Sequence, residues 1–517
     1  MTLSDFLDRV DRLVPLERGG AWSTAAGASV TSVEYDSRRA AAGSVFFALK
    51  GQQADGNAFA TDAIGRGAVA VVSDSPAPQE CTTPWVKAAD ARRALAAAAA
   101  ILYRHPSEEL LLVGVTGTNG KTTTTYLLDA IFEQAGLKAG CIGTIGYRVG
   151  NVEHAAARTT PEAPEVQRLL REMVEAHAAA CAMEVSSHAL ALARVDFTRF
   201  SAAVFTNLTR DHLDFHAGME DYFLAKRRLF DLLPAHRPAV VNVDDPYGAR
   251  LAREFPHAIT YGIEHRAAVS AASPSLTVGG QSLQVNTPRG ALALRSSLRG
   301  RPNAYNILAA VATAQALDIP LPAIERGIQS LVQVPGRFEV VSGEHDDVTV
   351  VVDYAHTDDA LRTLLETARP LTRGRLVTVF GCGGDRDKTK RPLMGAVAAR
   401  LSDVVVMTSD NPRSERPDDI IEEIKRGVVP PARVAVHGGQ PVAAVRSAEW
   451  TAIVDRRAAI EHAIALARPG DLVLIAGKGH ETYQEVGGRV LPFDDGRVAR
   501  EALAARRRTV AATPDRQ

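Results

Sequence analysis

Cysteine is scarce in these 517 residues: Cys81, Cys141, Cys181 and Cys382 lie far apart, with neither CxxC nor Cys/His spacing. That excludes a disulfide framework and a thiolate zinc site, and a reducing, cytoplasmic compartment is expected. Aromatic residues make up only 5% of the chain, and neither charge sign is in excess, since 59 Lys plus Arg face 60 Asp plus Glu for a formal net charge of -1. No nucleic-acid partner follows from such a balance, and any basic site must be local. Long hydrophobic runs are missing too. The longest, Ala94 to Tyr103, is alanine-rich and roughly half a membrane span; it reads as a helix ending a domain, and no membrane insertion is expected. The opening segment MTLSDFLDRVDRLVPLER carries acidic residues and no apolar core, so a signal peptide is not expected. The 40 glycines and 27 prolines are unbiased, which excludes fibrous and disordered classes.

The chain is 46% apolar and 23% charged, an ordinary globular composition, and at roughly 100–200 residues per domain its length implies two to four domains. Short β-branched runs ending at Gly, Asp or Asn alternate with helical stretches from about residue 110 onward. This pattern predicts an α/β fold with mostly parallel strands. Two groups stand out: Leu110–Val115, Ala139–Ile145, Ala179–Val185, Ala202–Thr206 and Ala239–Val243, then Val348–Asp353, Arg375–Phe380, Asp403–Thr408 and Asp471–Ala476. They predict two separate sheets. Residues 270 to 300 alternate like antiparallel strands, a helix is expected over Ala304–Leu317, and Val334-Pro335-Gly336 reads as a hinge. The first hundred residues form a third unit, and the last dozen are expected to be a frayed tail.

LLLVGVTGTNGKTTTTYLL runs a buried strand through Gly114, Gly117, Gly120, Lys121 and Thr122 into a helix. Such a loop wraps an anion with backbone N–H groups, with Lys121 for the β/γ-phosphates and Thr122 for Mg²⁺. Val115 stands where GxxxxGK[ST] has its first glycine, so the phosphate loop is a variant. In AAACAMEVSSHAL, Glu184, Ser186, Ser187 and His188 follow a strand directly, and Glu184 reads as a Mg²⁺ ligand or as part of an ordinary helix cap. TNLTRDHLDFH then sets Asn207, Asp211, His212, Asp214 and His216 together. This density points to a second metal position, although each histidine is equally a satisfied structural one. VTVVVD and VVNVD, ending at Asp353 and Asp244, mimic the metal-binding aspartate of phosphate-loop ATPases; the first reads as a buried strand ending in a turn.

Three polar clusters close the ends of the later strands: GCGGDRDKTKRP, SDNPRSE and GKGHE. In a parallel sheet Arg386, Arg413 and Glu481 converge on one crevice, and two arginines with a glutamate suit a zwitterionic small molecule carrying two carboxylates. His356 follows the first strand of this unit and could orient a phosphate.

GTNGKTT, MEVSSH, TNLTRDHLDFH, YFLAKRRLF, VNVDD, RPNAYN, VPGRFE, DYAHT, GCGGDRDKTKRP, DNPR and GKGHE occur in the order seen in the Mur ligases, and the resemblance spans about Asp36 to Glu481. It implies three domains: 1–105 for a uridine nucleotide substrate, 106–335 with a central phosphate-loop ATPase sheet, and 336–517, Rossmann-like, for the amino acid. The implied reaction is ATP- and Mg²⁺-dependent: an amino acid is added to the γ-carboxylate of D-Glu in UDP-N-acetylmuramoyl-L-Ala-D-Glu, through an acyl phosphate, for peptidoglycan precursors. DNPR resembles the signature of members adding meso-2,6-diaminopimelate rather than L-lysine.

By the same resemblance Tyr35, Ser37, Gln52, Gln53 and Ala54 bind UDP, and Thr159, Thr160, Ser186, Leu192 and Arg194 hold the muramoyl dipeptide. Thr116, Gly117, Thr118, Asn119, Gly120, Lys121 and Thr122, with Asn303 and Arg337, hold ATP. Arg386, Asp410, Asn411, Pro412, Arg413, Gly477 and Glu481 grip the amino acid. The lysine matching Lys226 is carbamylated in the family, and with Glu184, His212 and Thr122 it supports magnesium; without the resemblance it reads as an exposed helix lysine. Lys121, Lys226, His212 and His356 are the expected catalytic groups, and His212, His356 or solvent takes the amine's proton. Three positions depart from the family pattern: Arg158 where many members have Asn, Leu192 where some have a polar contact, and Asp358 where DYAHTP has Pro. The partners implied are small molecules, the state a monomer, and the hinge is expected to let the last domain close over the site. Folylpolyglutamate synthase shares the variant phosphate loop, and a non-enzymatic nucleotide switch is the rival outside enzymes; DSRR and DNPR argue against the former, the second metal cluster and the DNPR/GKGHE crevice against the latter.

Overall fold

The computed structural model describes all residues except 20–24, 52–53, 80–81, 273, 278, 429–447 and 512–517. Gln52, Gln53 and Cys81 lie outside the described residues; Cys141, Cys181 and Cys382 are free and buried. Among the described residues no helix is long and apolar enough to cross a membrane.

Three main sheets follow one another along the chain. The first has five strands in the order Leu16–Gly19, Trp85–Ala88, Ala70–Ser73, Ser44–Ala48, Ser32–Glu34, parallel except for the first pair. The helices Leu3–Asp11 and Ala91–Leu102 pack on one face. The alanine run thus forms a buried helix against this sheet.

The second sheet is built on parallel strands in the order Ile259–Gly262, Ala239–Asn242, Ala202–Phe205, Leu111–Thr116, Ala180–Glu184, Ala139–Ile142. The five from Ala239–Asn242 to Ala139–Ile142 are mostly apolar runs buried almost throughout, as helices on either side require, while Ile259 and Thr260 of the outer strand are half-buried. Antiparallel hairpins extend both edges, among them Gly280–Thr287 with Gly290–Ser296, so the alternation over 270 to 300 is realised. Arg301–Ala316 forms the helix expected from 304 to 317.

The third sheet runs Glu339–Val340, Thr349–Asp353, Leu472–Ala476, Leu376–Phe380, Val404–Met407, Glu449–Ala452, parallel apart from the first pair. Its alternate residues feed two cores, Val351 and Leu474 on one face, Val350 and Val473 on the other.

The expected frayed tail is corrected for residues 506–511, and residues 512–517 lie outside the described residues. The tail is helical as far as Ala511 in Asp495–Ala511, because Val498, Ala499 and Leu503 are buried and Arg506 donates to Ile464 O (3.0 Å), Ala467 O (2.8 Å) and Asp347 Oδ1 (2.8 Å). At the expected hinge Gly336 has φ 65°, and a Cβ there would stand 2.2 Å from His480 N.

Candidate active site at the junction of three sheets

The strand Leu111–Thr116 lies where neighbours on its two sides run off in opposite chain directions, Ala180–Glu184 on one side and Ala202–Phe205 on the other. Ligands of open α/β sheets bind outside such a switch point, and here the phosphate loop leaves it. Gly117 (φ 146°) and Gly120 (φ 89°) make the turn, and a Cβ on either would stand 1.8 Å from Thr206 Oγ1 or 2.3 Å from Asn306 Oδ1. Gly114 lies inside the strand, and its missing side chain makes room for Phe200, 2.8 Å from where a Cβ would be. The loop is braced from the neighbouring strand end: Thr118 N donates to Asn207 O (2.8 Å), Asn119 N to Asn207 Oδ1 (2.9 Å), and Thr206 Oγ1 to Asn119 O (2.6 Å).

Two ammonium groups meet at this loop. Lys121 Nζ donates to Gly117 O (3.0 Å) and Thr118 O (2.9 Å), and Lys226 Nζ donates to the same Gly117 O at 2.7 Å. Lys226 is 1% exposed on the helix Met219–Asp231, against the reading of an exposed lysine. Burial, reinforced by the Lys121 charge, pushes its amine well below the ordinary lysine range. Burial lowers Lys121 likewise.

Glu184, at 1% exposure, accepts from Thr144 N (2.8 Å) and Thr144 Oγ1 (3.0 Å), and only glycine fits at 143, where a Cβ would stand 2.4 Å from Glu184 Oε1. The histidines stack beside it. The His188 ring lies 4.8 Å from His212 and 4.1 Å from Phe215, and burial pushes His188 down to about 4 and His212 to about 3, the latter against the opposing Asp211 carboxylate. His212 holds φ 53°, a left-handed backbone that a non-glycine residue adopts only when its surroundings enforce it. Of this cluster, Asn207 braces the phosphate loop and buried His216 is held between Ser187 Oγ (3.0 Å) and Asp221 Oδ2 (3.2 Å), while Asp211 and His212 border the phosphate-loop cavity. Among the described residues no three His, Cys, Asp or Glu side chains form a metal cage. Asp244 and Asp353 hold turns, Asp244 accepting from Ile263, Glu264 and His265 N, Asp353 from Phe338 and Ala355 N.

Two cavities meet here. The smaller, about 270 Å³, is lined by Thr118 to Thr123, Glu184, Ser186, Asn303 and Arg337; the larger, about 1230 Å³, is lined from all three sheets. Thr144, Thr159, Asp211, His212, Tyr354 and His356 line both. Arg337 reaches across from the third sheet to donate to Thr122 Oγ1 at 3.1 Å, its guanidinium 4.5 Å over the Tyr354 ring. Thr116 and Gly117 shape the loop without lining the cavity, and Thr116 Oγ1 is buried without a partner.

Arg386, Asp410, Asn411, Arg413, Gly477 and Glu481 all line the larger cavity, so the three strand-end clusters do converge; Pro412 does not line it. Arg413, at φ 51°, is aimed by Glu485 (2.8 Å) and Gly384 O (2.7 Å). Of the dipeptide positions Thr159, Leu192 and Arg194 line this cavity, with Arg194 paired to Glu162 at 2.9 Å. Thr160 is buried behind it, donating to Glu184 O at 2.9 Å. At the first sheet Ala54 lines the cavity with Lys50 and Arg92, while Tyr35 and Ser37 stand away from it, Tyr35 bonded to Glu165 (3.3 Å).

Three buried cations went unread in the sequence. Arg391 pairs with Glu415 and Glu423 (2.9 Å each) and donates to Gly383 O (3.1 Å), fixing two of the polar loops; Arg456 pairs with Asp495 (2.7 Å) and holds Ser409 O and Ala476 O at 3.2 and 3.0 Å. The third is Lys478. Only their position among Asp, Asn and Glu at strand ends hinted at them.

A variant phosphate loop that opens onto a cavity shared by three sheets, with an arginine-lined crevice on the far wall, defines an ATP-dependent amide-bond-forming ligase. The chain belongs to the Mur ligase family: it matches the Mur ligase family catalytic domain over residues 29–108, the Mur ligase middle domain over 115–314 and the Mur ligase glutamate ligase domain over 336–479. It is 46% identical, over 95% of its length and 96% of the relative's, to a UDP-N-acetylmuramoyl-L-alanyl-D-glutamate–2,6-diaminopimelate ligase of Geobacter metallireducens. A solved structure of a ligase of the same name superposes with TM-score 0.66 at 32% identity, covering 98% of this chain and all (100%) of that one. A Mycobacterium tuberculosis folylpolyglutamate synthase, at 18% identity and TM-score 0.58 over 81% of this chain and 95% of its own, shares the fold alone.

Proposed function

We propose that this ligase adds meso-2,6-diaminopimelate to the γ-carboxylate of D-Glu in UDP-N-acetylmuramoyl-L-Ala-D-Glu, in the cytoplasm, for peptidoglycan precursors. The observation that carries it is the shared wall of the two cavities, where Thr144, Asp211, His212, Tyr354 and His356 border both the phosphate loop and the arginine crevice. In this reading units 1–105, 106–335 and 336–517 bring the uridine end, ATP and the amino acid to that wall.

A carboxylate oxygen attacks the γ-phosphorus and ADP leaves, giving an acyl phosphate; the amine nitrogen then attacks the acyl carbon, and the C–O bond to phosphate breaks. Lys121 and the loop amides bind the phosphoryl oxygens, a positioning and electrostatic task. Thr122 Oγ1 and the Glu184 carboxylate border the same small cavity, a donor set that suits Mg²⁺, which keeps several waters and needs few protein ligands; when bound, the ion neutralises charge on the phosphoryl groups. His212 borders the same space.

Lys226 joins this set as a carbamate. Its buried amine, pushed toward the neutral form, adds to carbon dioxide with loss of one proton, so a neutral amine beside Lys121 becomes an anion; starting from the ammonium, two protons leave. His356 takes the amine's proton in this scheme: its Nδ1 lies 2.9 Å from Tyr354 O, a pure acceptor, so the proton sits on Nδ1 and Nε2 is the open base. Burial lowers His356 from its ordinary value and keeps it neutral.

Oxygen-18 in the γ-carboxylate tests the scheme. It is expected in the released phosphate; unlabelled phosphate would rule out the acyl phosphate.

A further inference from the structure

Lys478 lies behind the amino-acid wall of the larger cavity, with 0% exposure. Its ammonium donates to Asn411 Oδ1 at 2.9 Å and Glu481 Oε2 at 3.1 Å, pairs with Asp410 Oδ1 at 3.5 Å, and stands 5.5 Å from the Tyr483 ring centre. The flanking glycines put it there: Gly477 and Gly479 hold φ 119° and 54°, and a Cβ on Gly479 would stand 2.7 Å from Tyr354 Cβ. Asp410 and Glu481 both line the cavity, whereas Lys478 does not touch it. Among the described residues Asp410 Oδ1, which is buried, has no hydrogen-bond partner, so the ion pair leaves it short of one.

We propose that Lys478 is a positioning residue for the amino-acid substrate, clamping Asp410 and Glu481 side by side so that two carboxylates share one lysine and present a single unbalanced negative charge to a substrate ammonium. A diamino acid offers such a group beyond its reacting amine. The inference rests on the diaminopimelate reading above.

The electrostatics favour this arrangement. Burial raises Glu481 above the ordinary carboxylate range and Asp410 adds to the rise; Lys478 is the largest opposing influence, helped by the Asn411 amide. The other groups around Glu481 are Tyr354, Tyr483 and Arg456, and Arg456 is committed to Asp495. Without the lysine charge Glu481 takes up a proton at higher pH, and the wall loses the charge that receives the ammonium.

The test compares kcat/KM for meso-diaminopimelate and 2-aminopimelate, which lacks the second ammonium, across pH in the wild-type enzyme, K478Q and K478R. K478Q keeps a hydrogen-bond donor and drops the charge; removing one partner of a buried charge pair is expected to raise the diaminopimelate KM about tenfold or more. Its preference for diaminopimelate over 2-aminopimelate should collapse and its acid limb move to higher pH, with KM for ATP and the UDP substrate unchanged, while K478R retains the wild-type acid limb. An unmoved acid limb and an intact preference in K478Q, or equal losses for all three substrates, would overturn the proposal. If K478Q fails to fold, the wild-type preference is read alone: it should fall as pH drops, and a flat preference overturns the proposal. A wild-type enzyme active only with another amino acid would fail the diaminopimelate reading instead, and the variants would then be compared with that amino acid.

Discussion

Lys121 and Lys226 donate to one oxygen, the carbonyl of Gly117, at 3.0 and 2.7 Å. Two ammonium groups on a single acceptor in a buried place repel each other, and carbamylation of Lys226 relieves that repulsion by reversing one charge. Enzyme equilibrated with carbon-13 bicarbonate is expected to show one carbamate carbon resonance that is absent from Lys226→Met; no difference between the two would refute the modification.

Lys226→Met also separates function from stability. An apolar side chain of similar length removes a buried ionisable group, so thermal stability should hold or rise by about 1–3 kcal/mol. Loss of a preorganised charge beside the phosphoryl group should lower kcat about 100-fold or more. A variant that unfolds more easily and is equally active would contradict both.

Arg337 bridges Thr122 and Tyr354 across the border between the second and third sheets. Arg337→Ala should raise the KM for ATP about tenfold, the worth of one or two hydrogen bonds to a charged group, with the amino-acid KM little changed. Steady-state kinetics with each substrate varied in turn decides this.

Arg413→Ala should do the reverse. Glu485 and Gly384 O hold its guanidinium at the wall of the larger cavity, and loss of a bidentate carboxylate contact should raise the diaminopimelate KM about 10- to 100-fold while ATP affinity stays. Equal losses for both ligands would show that Arg413 is no dedicated amino-acid contact.

Glu415 gives a stability prediction with a definite sign. The Arg391 hydrogen bonds hold its carboxyl down to about 2, below the roughly 4.3 of an unfolded chain. A depressed carboxylate stabilises above its unfolded value and loses that contribution as pH falls toward the folded one. Glu415→Gln should therefore be less stable than the wild type above about pH 4.3, with the gap closing toward about pH 2; denaturant unfolding at several pH values measures it, and a constant gap would contradict the pairing.

The nine strands expected in the second and third sheets all form, within one to three residues at each end, because a doubly buried strand must be a short apolar run that stops at a polar turn; the outer strands Ile259–Gly262 and Glu449–Ala452, partly exposed, were not legible. The convergence of Arg386, Arg413 and Glu481 followed from the same rule, since parallel strands bring their carboxyl ends to one edge. Gly114 falls in the strand as expected, but its packing role was not legible, because Phe200, which needs the room, lies far along the chain. Lys226 and Lys478 were illegible as buried residues. Their partners, Gly117 in one case, Asp410 and Asn411 in the other, lie 109 and about 67 positions away, and local periodicity carries no trace of such contacts. The first half of the tail, residues 506–511, was misjudged for the same reason, as Arg506 is anchored on Asp347.

The most direct measurement is phosphate release from ATP with UDP-N-acetylmuramoyl-L-Ala-D-Glu, comparing meso-diaminopimelate, L-lysine, L-ornithine and no amino acid. Sustained release with diaminopimelate alone is expected from the crevice of Arg386, Arg413 and Glu481. Release with lysine in its place would contradict the diaminopimelate assignment while keeping the ligase, and equal release without any amine would contradict the amide-forming reaction itself.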